Sequence, residues 1–180
     1  TDSLLVFTRR VDAAREDFME SHVTKNGFAQ SKLINGDINM EPKKGAITVS
    51  QDGEWLLFAG RLMDQGYKSF DIYISYLTPE GWSEPQNLGP NINTEFYESG
   101  PALSPDKNAL YFCSDRPEGN GGIDLYVSYR QPNGKWGAAI NMGPAINSAG
   151  DEQAPFIHAD NQTIYYTSNG LPGYGNTDLY

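Results

Sequence analysis

A unit of 54 residues repeats along this chain and constrains its fold more than any other feature. Ser50, Ser104 and His158 open three copies, each followed by an acidic turn residue, Asp52, Asp106 and Asp160. An apolar or aromatic run comes next: Leu56-Leu57-Phe58, Leu110-Tyr111-Phe112 and Ile164-Tyr165-Tyr166. A Gly-rich loop then leads to Asp71-Ile72-Tyr73, Asp124-Leu125-Tyr126 and Asp178-Leu179-Tyr180. Trp82 and Trp136 recur at the same spacing, as do Asn87-Leu88-Gly89-Pro90 and Asn141-Met142-Gly143-Pro144. Self-similarity at such a period marks a solenoid or a propeller, in which each unit buries its faces only against its neighbours.

The clearest copy resolves into four strands. Residues 100–104 predict a short strand of small residues, and 105–108 a tight turn. Residues 109–114 predict an aromatic-rich strand, followed by a Gly/Pro loop over 115–122. Residues 123–129 alternate, with Leu125 and Val127 against Tyr126 and Ser128. Gln131-Pro132-Asn133-Gly134 is a hairpin signal, and 135–142 a fourth strand holding Trp136. Four short antiparallel strands joined by turns make one blade, so the fold class is an all-β propeller.

The N-terminal part fits the same frame less closely. Residues 17–21 align with 71–75, and Glu41 aligns with Glu95, but the loop between Arg10 and Asp17 is shorter and lacks Gly. The blade parts fall at 1–44, 45–98, 99–152 and 153–180, about three and a half blades by the repeat. The first part lacks an innermost strand and the last an outermost one. The chain is therefore expected to be part of a larger propeller; a ring closed by two copies is the alternative.

The net charge of −10, from 23 acids against 13 bases, excludes the basic footprint of a nucleic-acid binder. No apolar run approaches the roughly 18 residues of a membrane-spanning helix, so no membrane insertion is expected of this segment. Cys113, the only cysteine, lies within an apolar strand and reads as a buried, inert thiol.

Turn carboxylates accept bonds from nearby backbone amides, the expected role of Asp52, Asp106 and Asp160. Their surroundings do not fit a sialidase-type Asp box. Asp71, Asp124 and Asp178 each open a strand after a loop. A group needed for catalysis is needed once, whereas a loop-fixing group is needed in every blade; a Ca²⁺ site is the other reading of these three. Blade topology puts the short turns at one end and the long loops with the crossovers at the other. The long-loop face is expected to carry the binding residues Tyr67, Glu95, Tyr97, Glu98, Asp115, Arg116, Asp151, Glu152 and Tyr174, beside Asp64 and Glu118. Glu98 and Glu152 are the sharpest pair. They read as anchors of the crossovers, as a binding pair, or as an acid–base pair of the kind that cleaves glycosides. Lys44 holds their place in the preceding blade. His22 and His158 occupy different blade positions, so they suggest no shared metal site. No catalytic residue, metal ligand or cofactor is assigned.

The strings 104–112, Ser114-Asp115-Arg116-Pro117, 121–128 and 136–147 resemble the TolB-type, WD-repeat-like propeller repeat. They are most similar to the version in envelope proteins of Bacteroidetes-type bacteria. There the propeller lies between tetratricopeptide repeats and an OmpA-like peptidoglycan-binding domain, the layout of the PorE-like component of type IX secretion. The resemblance implies a protein-interaction scaffold in the periplasm or at the outer membrane. It implies protein partners in the envelope, with glycan or peptidoglycan contacted through flanking domains. Because the acids and aromatics mostly recur by repeat, the chain is not expected to be an enzyme. A carbohydrate-active propeller, hydrolase or lyase, or a glycan-binding module is the alternative.

Overall fold

A computed structural model describes residues 4–13, 15–39, 44–62, 66–67 and 69–180. Asp64 and Glu41 lie outside the described residues. Among the described residues the chain forms four antiparallel sheets in chain order, the arrangement of propeller blades. The first holds β1 (Leu4–Arg10), β2 (Glu16–Thr24), β3 (Gly27–Phe28) and β4 (Lys32–Leu33). The second holds β5 (Lys44–Val49), β6 (Trp55–Gly60), β7 (Asp71–Thr78), β8 (Gly81–Trp82) and β9 (Gln86–Asn87). The third holds β10 (Glu98–Leu103), β11 (Ala109–Ser114), β12 (Asp124–Tyr129) and β13 (Ile140–Asn141). The fourth holds β14 (Glu152–Ile157), β15 (Ile164–Ser168) and β16 (Asp178–Leu179).

The central strands form where the sequence alternates. Phe58 faces Tyr73 across β6 and β7, and Phe112 faces Tyr126 across β11 and β12. Both pairs stack, at centroid separations of 5.7 and 6.0 Å, as cross-strand aromatics do. Each opposite face meets the next sheet. Leu57, Ile72 and Ile74 of the second sheet pack on Leu110, Phe112 and Trp136 of the third. Phe18, Ile34 and Ile38 of the first pack on Phe58, Tyr73 and Trp82 of the second. Cys113 and Leu125 of the third pack on Tyr166, Leu171 and Tyr180 of the fourth. The core is thus three slabs between four sheets, and Trp82 and Trp136 are buried in it. Burial pushes the Cys113 thiol up to about 12, which keeps it protonated.

Three strands depart from the sequence reading. The innermost strands start earlier than expected, at Glu98 and Glu152, and each carries a bulge, between Ser99 and Ala102 and between Gln153 and Phe156. Pro101 and Pro155 sit in those bulges, because proline has no amide for the ladder. The outermost strand, expected over 135–142, is broken into a bridge at Trp136 and the short β13. A buried serine spans the gap. Ser128 Oγ donates to Gly137 O at 2.6 Å, as Ser75 does to Ser83 O and Ser21 to Ala29 O, both at 2.7 Å. A side chain of the neighbouring strand thereby replaces a ladder bond. Gly36 lies so close to the Trp82 backbone that a Cβ would sit 2.2 Å from its carbonyl oxygen, so only glycine fits this junction of the first two sheets.

Candidate functional site

The turn end consumes its charges between neighbouring sheets. Ser50 Oγ donates to Asp52 at 2.5 Å and Ser104 Oγ to Asp106 at 2.6 Å, and the amides of Glu54 and Asn108 close the same turns. Lys107 and Asn161 occupy left-handed backbone, with φ near 59° for both. From there each reaches back one sheet, Lys107 to Asp52 and Asn161 to Asp106. The Lys107 ammonium holds Asp52 well below the usual carboxylate range, aided by the Ser50 hydroxyl. Lys107 and Arg130 both lie 4.7 Å from the Trp55 ring, so this half-buried tryptophan is covered by cations.

The loop end contains the sequence-predicted site, and the structure separates its residues into two groups. Glu98 and Glu152 are fully buried. Glu98 accepts bonds from Thr94 N at 2.8 Å, Thr94 Oγ1 at 2.6 Å, Ser114 Oγ at 2.9 Å and Arg116 Nη2 at 3.0 Å. Glu152 accepts from Ser148 N at 2.8 Å, Ser148 Oγ at 2.6 Å and Ser168 Oγ at 2.5 Å. Their oxygens are filled by crossover and strand donors, so the two leave the loop surface and anchor the crossovers. Lys44, in the same repeat position, is also fully buried, its ammonium 5.6 Å from the Phe18 ring centroid.

Arg116 is likewise tied inward. It bonds Glu98, Ser114 Oγ and Ile92 O, and lies over the Tyr126 ring at 4.6 Å. Asp115 accepts from Tyr97 N at 2.8 Å, and Asp151 from Ile123 N at 2.9 Å and Asn169 Nδ2 at 3.0 Å. The loop-opening aspartates act as expected of loop fixers. Asp71 accepts from Tyr67 N and Asn87 Nδ2, and Asp124 from Gly121 N and Asn141 Nδ2. Burial pushes Asp71 above the usual range, against the pull of the Tyr67 amide and Asn87.

The second group remains at the surface. Tyr67 and Glu95 line one cavity of about 490 Å³ between the second and third sheets, with Phe96 and Glu118, and the inward-tied Arg116 forms part of its wall. Glu95, Asp115 and Glu118 are exposed, and Tyr67 is 43% exposed. Tyr97 packs on Phe70 beside this cavity, at 5.7 Å between ring centroids. Tyr174 stands apart, fully exposed on the loop of the fourth sheet.

Sequence reasoning missed the residues that hold the crossovers to the strands. Asn93 Oδ1 accepts from Ile72 N at 2.7 Å, and its amide donates to Ile72 O at 2.9 Å, as a strand residue would. Asn147 does the same to Leu125, and Asn39 to Phe18. The signal was present, since Ile38-Asn39, Ile92-Asn93 and Ile146-Asn147 recur at the 54-residue period.

No protein-family model and no curated protein matches this chain. Solved structures show the fold. TolB from Acinetobacter baumannii superposes with a TM-score of 0.63 at 15% identity, over 99% of this chain and 40% of that one. An endo-arabinase from Bacteroides thetaiotaomicron gives 0.60 at 13% identity, over 99% and 69%. An alpha-L-arabinofuranosidase from Lactobacillus brevis gives 0.59 at 9% identity, over 99% and 68%. The chain thus spans 40% of the length of the TolB structure that it matches. The propeller class and its TolB-like form stand. The expectation that the chain is not an enzyme does not stand, because two propeller enzymes resemble it about as well as TolB does. At these identities the likeness carries fold and not activity.

Proposed function

We propose that this chain is the interaction module of a bacterial cell-envelope protein, binding a protein partner through the long-loop face. Its four units, 1–44, 45–98, 99–152 and 153–180, contribute to a larger propeller. The observation that carries the reading is where the repeat fails. The anchors Glu98 and Glu152 recur, but the cavity residues Tyr67 and Phe96 meet Asn120 and Gly150 at the equivalent places of the next unit. A structural group is required in every blade, whereas a recognition group is required in one. Exposed aromatic and charged side chains around a concave surface suit a protein contact. Envelope placement and a link to peptidoglycan or to type IX secretion follow the repeat's resemblance to envelope propellers.

Photo-crosslinking in the parent bacterium tests this. A crosslinker at position 67 or 95 should give a discrete adduct in the envelope fraction, and one at 133 on the turn end should give none. Equal adducts from both ends, or adducts only in the cytosolic fraction, would reject the reading. A carbohydrate-active propeller is the second reading, favoured by the two arabinose-enzyme folds. It requires two accessible carboxylates. Glu95 and Glu118 are those that line the loop cavity. Sugar release from arabinan that Glu95→Gln abolishes would select it.

A further inference from the structure

The loop cavity between the second and third sheets carries charge that the fold does not use. Its inner wall is spent. Asn93 is bonded to both backbone groups of Ile72, and Thr94 to Glu98. Among the described residues Arg116 is the only cation that lines the cavity, and Glu98 takes its charge at 3.0 Å. Glu95 and Glu118 are left. Both are exposed, and among the described residues neither has a hydrogen-bond or ion-pair partner. At the turn end, by contrast, Asp52 and Glu54 share Lys107.

Two rings stand with these carboxylates, the exposed Tyr67 and the half-buried Phe96. The junction of the third and fourth sheets has no counterpart of Phe96. Gly150 holds its place there, and a Cβ on Gly150 would sit 2.3 Å from Asn169 Oδ1 and 2.7 Å from the Gly170 backbone. Those loops meet through glycine, with no room for a ring. The cavity of about 490 Å³ lies within the size range of ligand sites, about 300–1,000 Å³. Unpaired carboxylates beside aromatic faces in a concave site complement a cation that is flat and weakly hydrated. A guanidinium offers N–H donors to the carboxylates and a plane to the rings, whereas an ammonium is a compact, strongly hydrated charge. The net charge of −10 draws such a group toward the surface.

We propose that the loop cavity is a subsite for an arginine side chain, held by Glu95 and Glu118 and stacked against the rings of Tyr67 and Phe96. The inference rests on the partner reading of this face and adds that the partner presents an arginine to it.

The probe is Nα-acetyl-arginine methylamide, titrated into the ¹⁵N-labelled protein and followed by NMR. Saturable shifts are expected at the amides of Glu95, Phe96 and Glu118. Nα-acetyl-citrulline methylamide, similar in shape but uncharged, should bind about tenfold more weakly. Glu95→Gln and Glu118→Gln should each weaken arginine about threefold. Tyr67→Leu, which keeps an apolar side chain and removes the ring, should do the same. The spectrum of each variant also shows whether the sheets are retained. Equal binding of the citrulline probe, equal shifts at acids away from the cavity such as Glu80 and Glu84, or no effect of the two glutamine changes would overturn the proposal. An equal response of the same amides to calcium chloride would do so too, because the carboxylates would then serve a metal ion. If arginine fails to bind while the position-67 adduct persists, the subsite falls and the partner reading stands. If arginine binds and no adduct forms, the partner reading falls, and with it the claim about what the partner presents.

Discussion

Asp71 closes the loop end of the second sheet and Asp106 the turn end of the third, and both recur with the repeat. Asp71 is fully buried; loss of water pushes its pKa up, and two donors do not outweigh that. Asp106 is exposed; the Ser104 hydroxyl and the Asn108 amide hold its pKa down. The same residue type is thus strained at one end and stabilised at the other. Burial decides which, because desolvation penalises the charged form and hydrogen bonds favour it. The loop end is fastened by buried, directional bonds, the turn end by exposed charge.

The largest test of that contrast is Glu98→Ala. It leaves Arg116, Thr94 and Ser114 without their acceptor inside the protein, and should cost about 3–5 kcal/mol in denaturant unfolding. A cost near zero would mean that the loop end is not held by its carboxylates. Asn93→Ala strands the buried amide of Ile72, whose carbonyl keeps the Leu88 amide, and about 1–3 kcal/mol should be lost by the same measurement.

The aspartates themselves should respond to pH with opposite sign. Asp71 is raised, so wild-type protein holds its advantage at low pH and loses it as pH rises from the ordinary carboxylate value through the raised one. The Tm of Asp71→Asn relative to wild type should therefore increase across that window. Asp106 is lowered, so its contribution is present above the ordinary value and fades as pH falls through the lowered one. Asp106→Asn should show a modest Tm loss at neutral pH that disappears in strong acid. Parallel pH trends for the two variants would break the comparison. The smallest effect is that of Lys107→Ala: a slight Tm loss in low salt that vanishes in high salt, because exposed ion pairs are screened.

Much of this could be read in the chain. β11 matches its predicted strand, because Ala109 to Ser114 carries a strong aromatic pattern between a turn and a Gly/Pro loop. The outer strand was misread as continuous. Residues 135–142 favour a strand locally, but a serine of the adjacent strand satisfies the backbone and lets the chain break. Arg116 looked like a loop surface group, and Glu98 like a crossover anchor, a binding residue or an acid–base group. They prove to be partners of each other, since β10 and β11 pair Glu98 with Ser114 and so bring Arg116, two residues on, beside the carboxylate. Asn93 was overlooked because an asparagine among turn residues reads as turn chemistry.

The sequence by itself determined the repeat, the all-β class and the positions of the turns. These follow from local periodicity and from residues whose preferences act within a few positions. Only the tertiary structure decided which repeated acids are buried and which loop residues share a cavity. Those outcomes depend on which sheets come to lie side by side, and burial and pairing between distant segments leave no local trace in the chain.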